Sequence, residues 1–371
     1  MRLAARAGII LSLALTTGCF DVDFLGVVPP PPPGGGNDSE TPPAHQTWRS
    51  TGPLRTARSS HAAALLPSGK VMVAGGVSSS VQPIEGLSSS EIYDPATGTW
   101  TSTGSMSAPR IGPTAVLLPT GKVLSMGEAR FSNAAELYDE GTGVWTPTGS
   151  TFAYRQFPQA VVLPSGQVLM VGGVAANPAG PGFVELYEPA TGSWSPARGN
   201  SRLLMGSALS LLPSGKVLLS GGGYSSTSAD AEVYDPSTDT WTPTGSMSTP
   251  RDDHTATLLP SGQVLVVGGG SAQAELYDPA SGVWTSAGVL AHSRRSHTAT
   301  LLPSGQVLVV GGGNAQAELY DPASGVWTSA GVLAHSRRSH TATLLPSGEV
   351  LVAGGDDGNG EQLGSVELYT P

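Results

Sequence analysis

The chain is poor in cysteine and in charge. Its 371 residues include one Cys, three Lys and only 12% charged side chains. A single cysteine forms no disulfide within the chain, so nothing in the fold depends on an oxidising compartment. The net charge is −10, which argues against a nucleic-acid partner because neutralising phosphates requires clustered cations. With so few lysines there is also no lysine-rich patch for an anionic membrane.

No apolar run in the chain reaches the length that spans a bilayer. At the N-terminus, two arginines precede a short apolar stretch at 7–15, a pattern typical of a signal peptide. The segment ends at Cys19 and resembles a bacterial lipobox, although Thr16 stands where an aliphatic residue is usual and Leu15 lies one position further back. We predict that residues 1–19 direct export and that Cys19 is lipidated. Ordinary secretion is the alternative.

Residues 20–46 have the composition of a linker, with five consecutive prolines followed by three glycines. Polyproline is stiff and glycine is flexible, so this stretch would hold a domain away from a surface. We therefore predict three parts: a signal segment at 1–19, a linker at 20–46 and one domain at 47–371. The expected location is the outer membrane or surface of a bacterium, with membrane contact only through the lipid.

From residue 47 onward the chain repeats one unit. Its tryptophans lie 43 to 52 residues apart, at positions 48, 100, 145, 194, 241, 284 and 327. A Glu-aliphatic-Tyr triplet begins at Glu91, Glu136, Glu185, Glu232, Glu275, Glu318 and Glu367. A diglycine ends an apolar run at 75–76, 172–173, 221–222, 268–269, 311–312 and 354–355, and the second repeat keeps only Gly127. A period in this range indicates a solenoid, a propeller or an array.

Within one repeat, such as residues 296–328, four short apolar segments alternate with turn sequences, and no helical period is present. Four strands per repeat and seven repeats predict an all-β, seven-bladed propeller with four antiparallel strands per blade. The domain begins with a lone fourth strand around Trp48 and ends with a third strand at Tyr369. We expect the N-terminal strand to complete the last blade and close the ring.

Diglycine, then Tyr, then Trp resembles the kelch repeat, and the resemblance covers 47–371. The chain is also similar to the seven-bladed domain of galactose oxidase and related radical-copper oxidases. Those enzymes require a cysteine joined to a tyrosine, but Cys19 lies outside the propeller. The resemblance therefore implies a bacterial kelch-repeat lipoprotein without that copper site, and we expect no cofactor and no metal.

An arginine recurs where each innermost strand is expected to begin, at Arg58, Arg110, Arg155, Arg251, Arg294 and Arg337. Repeat four has Leu204 at this position and Arg202 nearby. The repeated Glu lies at the same end of the sheet, two strand spacings or about 9–10 Å away. Diglycine between them would leave a path for the guanidinium. We predict buried Arg–Glu ion pairs with a structural role. A ring of arginines facing an anionic ligand is the alternative.

Two further groups have a structural and a functional interpretation. The seven tryptophans are expected to pack in the core, with sugar stacking as the alternative. The segment 356–361 carries oxygen ligands suited to calcium, but a solvated loop is the favoured interpretation.

Loops at the Arg–Glu end of the sheets vary in length and sequence, whereas the opposite end carries near-identical Pro-Ser-Gly and Asp-Pro-x-x-Gly turns. We call these ends the variable face and the turn face. The variable loops are 77–90, 128–134, 174–183, 223–230, 270–273, 313–316 and 356–365. Variable loops on a rigid scaffold favour a non-enzymatic, monomeric module that binds a protein or a glycan. A carbohydrate-acting or hydrolytic enzyme with an unrecognised site on this face is the alternative.

Overall fold

The computed structural model describes residues 8–11, 14–17, 47–79, 84, 86–127, 132–153, 155–175, 184–198, 205–223 and 226–371. Seven of the eight antiparallel sheets in these ranges follow one another along the chain and each contains the four strands of one blade, and the eighth is a two-stranded sheet of Arg155–Gln156 and Val174–Ala175. No helix occurs in these ranges. The all-β, seven-bladed propeller predicted from the repeats is therefore confirmed.

Strand positions are regular from blade to blade. The innermost strands are Ala62–Leu65, Thr114–Leu117, Gln159–Val162, Ala208–Leu211, His254–Leu258, His297–Leu301 and Thr341–Leu344. The second strands are Val71–Ala74, Val123–Met126, Val168–Val171, Val217–Ser220, Val264–Gly268, Val307–Gly311 and Val350–Ala353. The third strands are Ser90–Asp94, Glu136–Asp139, Val184–Glu188, Ala231–Asp235, Gln273–Asp278, Gln316–Asp321 and Val366–Thr370. The outermost strands are Thr99–Thr103, Val144–Pro147, Ser193–Pro196, Thr240–Pro243, Val283–Val289, Val326–Val332 and, in blade seven, Thr47–Ser50.

Blade seven is assembled from both ends of the domain, as predicted. The strand Thr47–Ser50 pairs antiparallel with Val366–Thr370, which places Trp48 opposite Tyr369. Main-chain hydrogen bonds between sequence-distant strands thus close the ring. Because the ring is closed, blades one and seven also contact each other, through main-chain bonds such as that from the Gly355 N–H to the carbonyl of Arg58.

The core lies within and between the blades. Second strands such as Val71–Ala74 are buried along their whole length because they have neighbours on both sides and on both faces. In every blade the repeated Tyr packs against the repeated Trp, with ring centroids 4.9–5.2 Å apart and tilted planes. Trp100, Trp145 and Trp194 are buried and the other four are half-buried. This placement matches the core role predicted for the tryptophans.

The hydroxyl groups of the repeated tyrosines have different hydrogen-bond partners in different blades. The Tyr93 hydroxyl lies 2.8 Å from the hydroxyl of Thr51, and three other blades repeat this Thr–Tyr bond at 2.7–2.9 Å. Tyr369 is equally buried, but its hydroxyl has no hydrogen-bond partner in the described structure. Burial raises the pKa of Tyr369 to about 12.

Two short strands also occur in the segment predicted to be a signal peptide. Gly8–Leu11 and Ala14–Thr17 pair with each other, and Ala14 and Leu15 pair with Thr257 and Ala256 of the innermost strand of blade five. Cys19 and the linker 20–46 lie outside the described residues, so their roles stay predictions. Among the residues that the structure describes, no helix is both long and apolar enough to cross a membrane.

Candidate functional site

The structure brings six of the predicted Arg–Glu pairs together. An Nη2 atom of the arginine lies 2.5–2.9 Å from Oε1 of the glutamate of the same blade. All twelve side chains are buried, with 0–8% of their surface exposed. The pairs are Arg58–Glu91, Arg110–Glu136, Arg155–Glu185, Arg251–Glu275, Arg294–Glu318 and Arg337–Glu367.

Repeat four departs from this pattern. Its Glu232 occupies the expected place on the third strand. Arg202 and Leu204, the two residues considered as its counterparts, lie outside the described ranges. The structure therefore leaves the seventh pairing as a prediction.

Each pair also binds main-chain groups. In blade one, Arg58 Nη1 donates to the carbonyl of Gly75 at 2.9 Å, while Glu91 accepts the backbone N–H groups of Arg55 and Thr56 at 2.7 and 3.0 Å. The other five arginines donate in the same way to the first glycine of their blade, at 2.5–3.1 Å. Each pair thus fixes the segment that enters the blade, the end of the second strand and the start of the third.

The diglycines serve a purpose different from the one expected. A Cβ on Gly269 would lie 2.9 Å from Cβ of Arg251, and a Cβ on Gly268 would lie 2.7 Å from the carbonyl oxygen of Arg294 in the next blade. Both glycines have positive φ, a backbone conformation that glycine adopts without strain. The missing side chains therefore make room for the arginine stem and for the neighbouring blade, and the guanidinium reaches the glycine carbonyl rather than an empty path.

The arginine backbone joins neighbouring blades. The second glycine donates its N–H to the carbonyl of the next blade's arginine: Gly76 to Arg110, and Gly355 to Arg58 across the ring closure, both at 2.9 Å. Glycines 222, 269 and 312 repeat the bond at 2.7–2.9 Å. The repeated arginine thus stabilises both its own blade and the contact to the preceding one.

Burial has the largest effect on the pKa of five of the arginines and of Glu185. It lowers the pKa of Arg58, Arg110, Arg155, Arg294 and Arg337, and the partner glutamate raises it again. At Glu185 burial raises the pKa and the charge of Arg155 lowers it. The guanidinium groups are enclosed and paired, so they are not available to an anionic ligand. The structure therefore favours the structural role over the anion-binding ring.

Four histidines that were assigned no role from the sequence form bonds between blades. Nε2 of His61, His297 and His340 lies 2.9–3.1 Å from a threonine hydroxyl of the preceding blade. Nε2 of His254 lies 2.8 Å from the Ser220 hydroxyl. All four are buried, and burial lowers the pKa of His254 and of His297 to about 3. The sequence did carry a signal for this role, since His lies three residues after the repeated Arg and is followed by Thr in three of the four cases.

A repeated position whose backbone lies in the left-handed region was also not predicted from the sequence. The residue two positions after each repeated arginine has φ between 52° and 58°, although only one of the six is glycine. Ser60 is an example: its N–H donates to Ser339 of blade seven at 2.9 Å, and its carbonyl accepts from Gly112 of blade two at 3.0 Å. A non-glycine residue pays about 1–2 kcal/mol for this conformation. Main-chain bonds between the segments that precede neighbouring innermost strands offset that cost at the variable face.

The loop 356–361 is held by its own hydrogen bonds. Asp356 Oδ1 accepts the Gly358 N–H at 3.0 Å, and Asp357 Oδ1 accepts those of Asn359 and Glu361 at 2.8 and 3.0 Å. Across the described part of the chain, no group of three or more His, Cys, Asp or Glu is placed to hold a metal ion. Both aspartates thus accept hydrogen bonds from the backbone of their own loop.

The turn face carries a groove of about 640 Å³ between blades four and five. Its lining includes Lys216, Asp235, Tyr277 and Asp278. Lys216 Nζ lies 3.0 Å from Asp235 Oδ2, so these two charges neutralise each other. The groove consists of the same turn residues that recur in other blades and brings no distinctive chemistry together.

Comparison with known proteins agrees with this architecture. The kelch motif matches residues 58–107 and 213–248, and no curated protein matches the chain. A fungal alcohol oxidase of the AA5 family, solved in complex with copper, has a similar structure with a TM-score of 0.73 and 19% sequence identity. The match covers 88% of this chain and 76% of that one.

The molecule thus belongs to the class of seven-bladed β-propellers. More particularly, it is a kelch-repeat propeller, and its fold resembles that of the galactose oxidase-like enzymes. At this level of identity the likeness to the oxidase concerns the fold alone. The donor set that such a copper site requires is not met by the blades: residues 47–371 contain no cysteine, and the four histidines beside the innermost strands are bound to hydroxyl groups between blades.

Proposed function

We propose that this protein is a non-enzymatic binding module of the bacterial envelope or cell surface, and that it recognises a protein or a glycan through the variable face. The observation that carries the proposal is the contrast between the two ends of the blades. The turn face repeats one set of turns, whereas the loops 223–230, 313–316 and 356–365 on the variable face share neither length nor sequence. Such loops on a rigid scaffold are the usual place for recognition.

The scaffold beneath these loops supports the proposal. Six buried ion pairs and a series of main-chain bonds between blades hold the ends of the strands in place. A rigid scaffold lowers the entropy lost when a ligand orders the loops. The repeated charged groups are neutralised internally, so the residues that differ from blade to blade are the ones that would contact a ligand.

Export and anchoring complete the proposal. A lipid on Cys19, followed by the linker 20–46, would hold the propeller at a distance from the membrane. In that arrangement the protein acts outside the cytoplasm, as a monomer, on envelope or secreted partners.

The test uses the full-length protein as bait against envelope and secreted material from the native cell. One variant has the loops 77–90, 174–183 and 356–365 shortened. A matched control carries serine-to-alanine substitutions at Ser214, Ser261 and Ser304 in the turn face, which contains the Pro-Ser-Gly turns. We expect capture of a partner by the wild type and by the turn-face control, and loss of capture by the loop variant. Equal capture by all three baits, or no partner at all, contradicts the proposal.

A further inference from the structure

The duplicated blades five and six place two arginines in the same local environment. Residues 254–295 and 297–338 differ only at Ser271 and Asn314, so Arg295 and Arg338 end two nearly identical segments. Both side chains are half-buried on the variable face. Each guanidinium lies against a glycine of the preceding blade: a Cβ on Gly270 would be 2.8 Å from Nη2 of Arg295, and one on Gly313 would be 3.2 Å from Nη2 of Arg338.

The two arginines differ in what the preceding blade offers them. Arg295 finds Asp252, the residue 43 positions earlier, and its Nη1 lies 3.1 Å from Oδ1 and 3.3 Å from Oδ2 of that side chain. For Arg338, the residue 43 positions earlier is Arg295 itself. Its guanidinium has no ion-pair or hydrogen-bond partner in the described part of the chain. Arg295 is therefore hydrogen-bonded to a carboxylate of the preceding blade, whereas Arg338 has no such bond in the described part of the chain.

Asp356, the acidic residue beside Arg338, does not form with it the ion pair that Asp252 forms with Arg295. Asp356 is 3% exposed, and its backbone pairs with that of Arg338. Its Oδ1 accepts the Gly358 N–H at 3.0 Å, and burial raises the pKa of Asp356 while the charge of Arg338 lowers it. The carboxylate thus belongs to its own loop, and the half-exposed guanidinium of Arg338 keeps its donors free for a ligand.

We propose that Arg338 anchors a site for an aspartate or glutamate side chain of an acidic peptide. The incoming carboxylate takes at Arg338 the place that Asp252 takes at Arg295. This inference rests on the proposed function and names the ligand class of the same face. A peptide is favoured over an acidic sugar because the carboxylate that pairs with Arg295 belongs to an aspartate side chain of the protein itself. Guanidinium and carboxylate pair through charge-assisted hydrogen bonds, which are the strong ones in proteins.

The experiment measures binding of a fluorescein-labelled hexa-aspartate peptide to the full-length protein, with a hexa-asparagine peptide for comparison. Arg338→Ser removes the anchor. The double variant Arg295→Asp/Asp252→Ser keeps Arg338 but supplies it with an internal carboxylate. Arg49→Ser makes the same charge change as the first variant at the turn face, where Arg49 pairs with Glu349 at 2.9 Å.

We expect the wild type and Arg49→Ser to bind the aspartate peptide alike. Arg338→Ser and the double variant should each bind about 10- to 100-fold more weakly, the range for hydrogen bonds to a charged group. Equal affinity of wild type and Arg338→Ser overturns the inference, as does equal weakening by Arg49→Ser. Binding of oligogalacturonate in place of the peptide overturns the assignment to a peptide.

The native capture experiment separates this inference from the proposed function. An Arg338→Ser bait that captures the partner as well as the wild type does leaves the binding function intact and rejects Arg338 as its anchor. Capture by neither bait rejects the proposed function itself.

Discussion

A buried Arg–Glu pair should matter far more to stability than an exposed pair of the same length. Blade one contains both kinds on a single third strand, Ser90–Asp94. Glu91 pairs with Arg58 at 2.8 Å, and their side chains are 2% and 0% exposed. Asp94 pairs with Lys70 at 2.9 Å, and their side chains are 31% and 42% exposed. The substitutions Glu91→Gln and Asp94→Asn remove one charge each, three residues apart, with little change in shape.

The magnitude follows from what Glu91→Gln leaves behind. Arg58 would stay buried without its counter-charge, and two backbone N–H groups would lose their charged acceptor. Removing one partner of a buried pair costs about 3–5 kcal/mol. With an unfolding entropy of about 2.1 cal/mol/K per residue, a domain of this size should melt about 4–7 °C lower. Asp94→Asn should change stability only slightly, because water screens the exposed pair.

The assay is urea unfolding and calorimetry of the two variants and of the double variant Arg58→Met/Glu91→Gln. The double variant should be more stable than the sum of its single substitutions predicts, because it leaves no uncompensated charge. If Glu91→Gln destabilises the protein no more than Asp94→Asn does, the structural role assigned to the buried pairs is wrong.

Three further predictions concern other parts of the chain. Tyr93→Phe should cost about 1 kcal/mol in urea unfolding because it breaks a buried hydrogen bond, whereas Tyr369→Phe should be neutral or stabilising because the hydroxyl of Tyr369 has no partner; equal costs would contradict this. His254 and His297 have a pKa of about 3 when folded and about 6.5 when unfolded, so the unfolded chain binds more protons below pH 6.5 and stability falls from there towards pH 3. Between pH 7 and pH 5, the two histidines together should lower the free energy of unfolding by about 4 kcal/mol. A urea midpoint that is the same at both pH values would contradict the burial of these histidines as neutral groups. Cys19→Ser should abolish incorporation of labelled palmitate and release the protein from the membrane fraction, and a variant that still incorporates label would contradict lipidation at this residue.

The fold could be predicted from the sequence because its determinants repeat. A packing role for Trp48 and Tyr369 requires them to meet, and they meet only if the first strand of the domain completes the last blade. Seven copies of this pattern fix the number of blades. The Arg–Glu pairs could also be predicted from the sequence, because two residues of opposite charge recur at fixed places at the same end of each sheet.

The features that could not be predicted from the sequence depend on backbone conformation and on which residues are neighbours in space. Ser60 and Asp253 adopt positive φ although neither is glycine, and residue type alone does not signal it. Arg295 and Arg338 look identical in the sequence. Their difference appears only when the preceding blade is placed beside each of them, with Asp252 next to one and an arginine in the corresponding place for the other.

The most direct test of the variable face as the binding surface is photocrosslinking in the native cell. A benzoylphenylalanine replaces Asn359 in the variable loop of blade seven or Ser347 in the turn at the opposite end of the same blade, both exposed positions. The account predicts a specific adduct from position 359 and none from position 347. An adduct from position 347 alone would place recognition on the turn face and contradict the account.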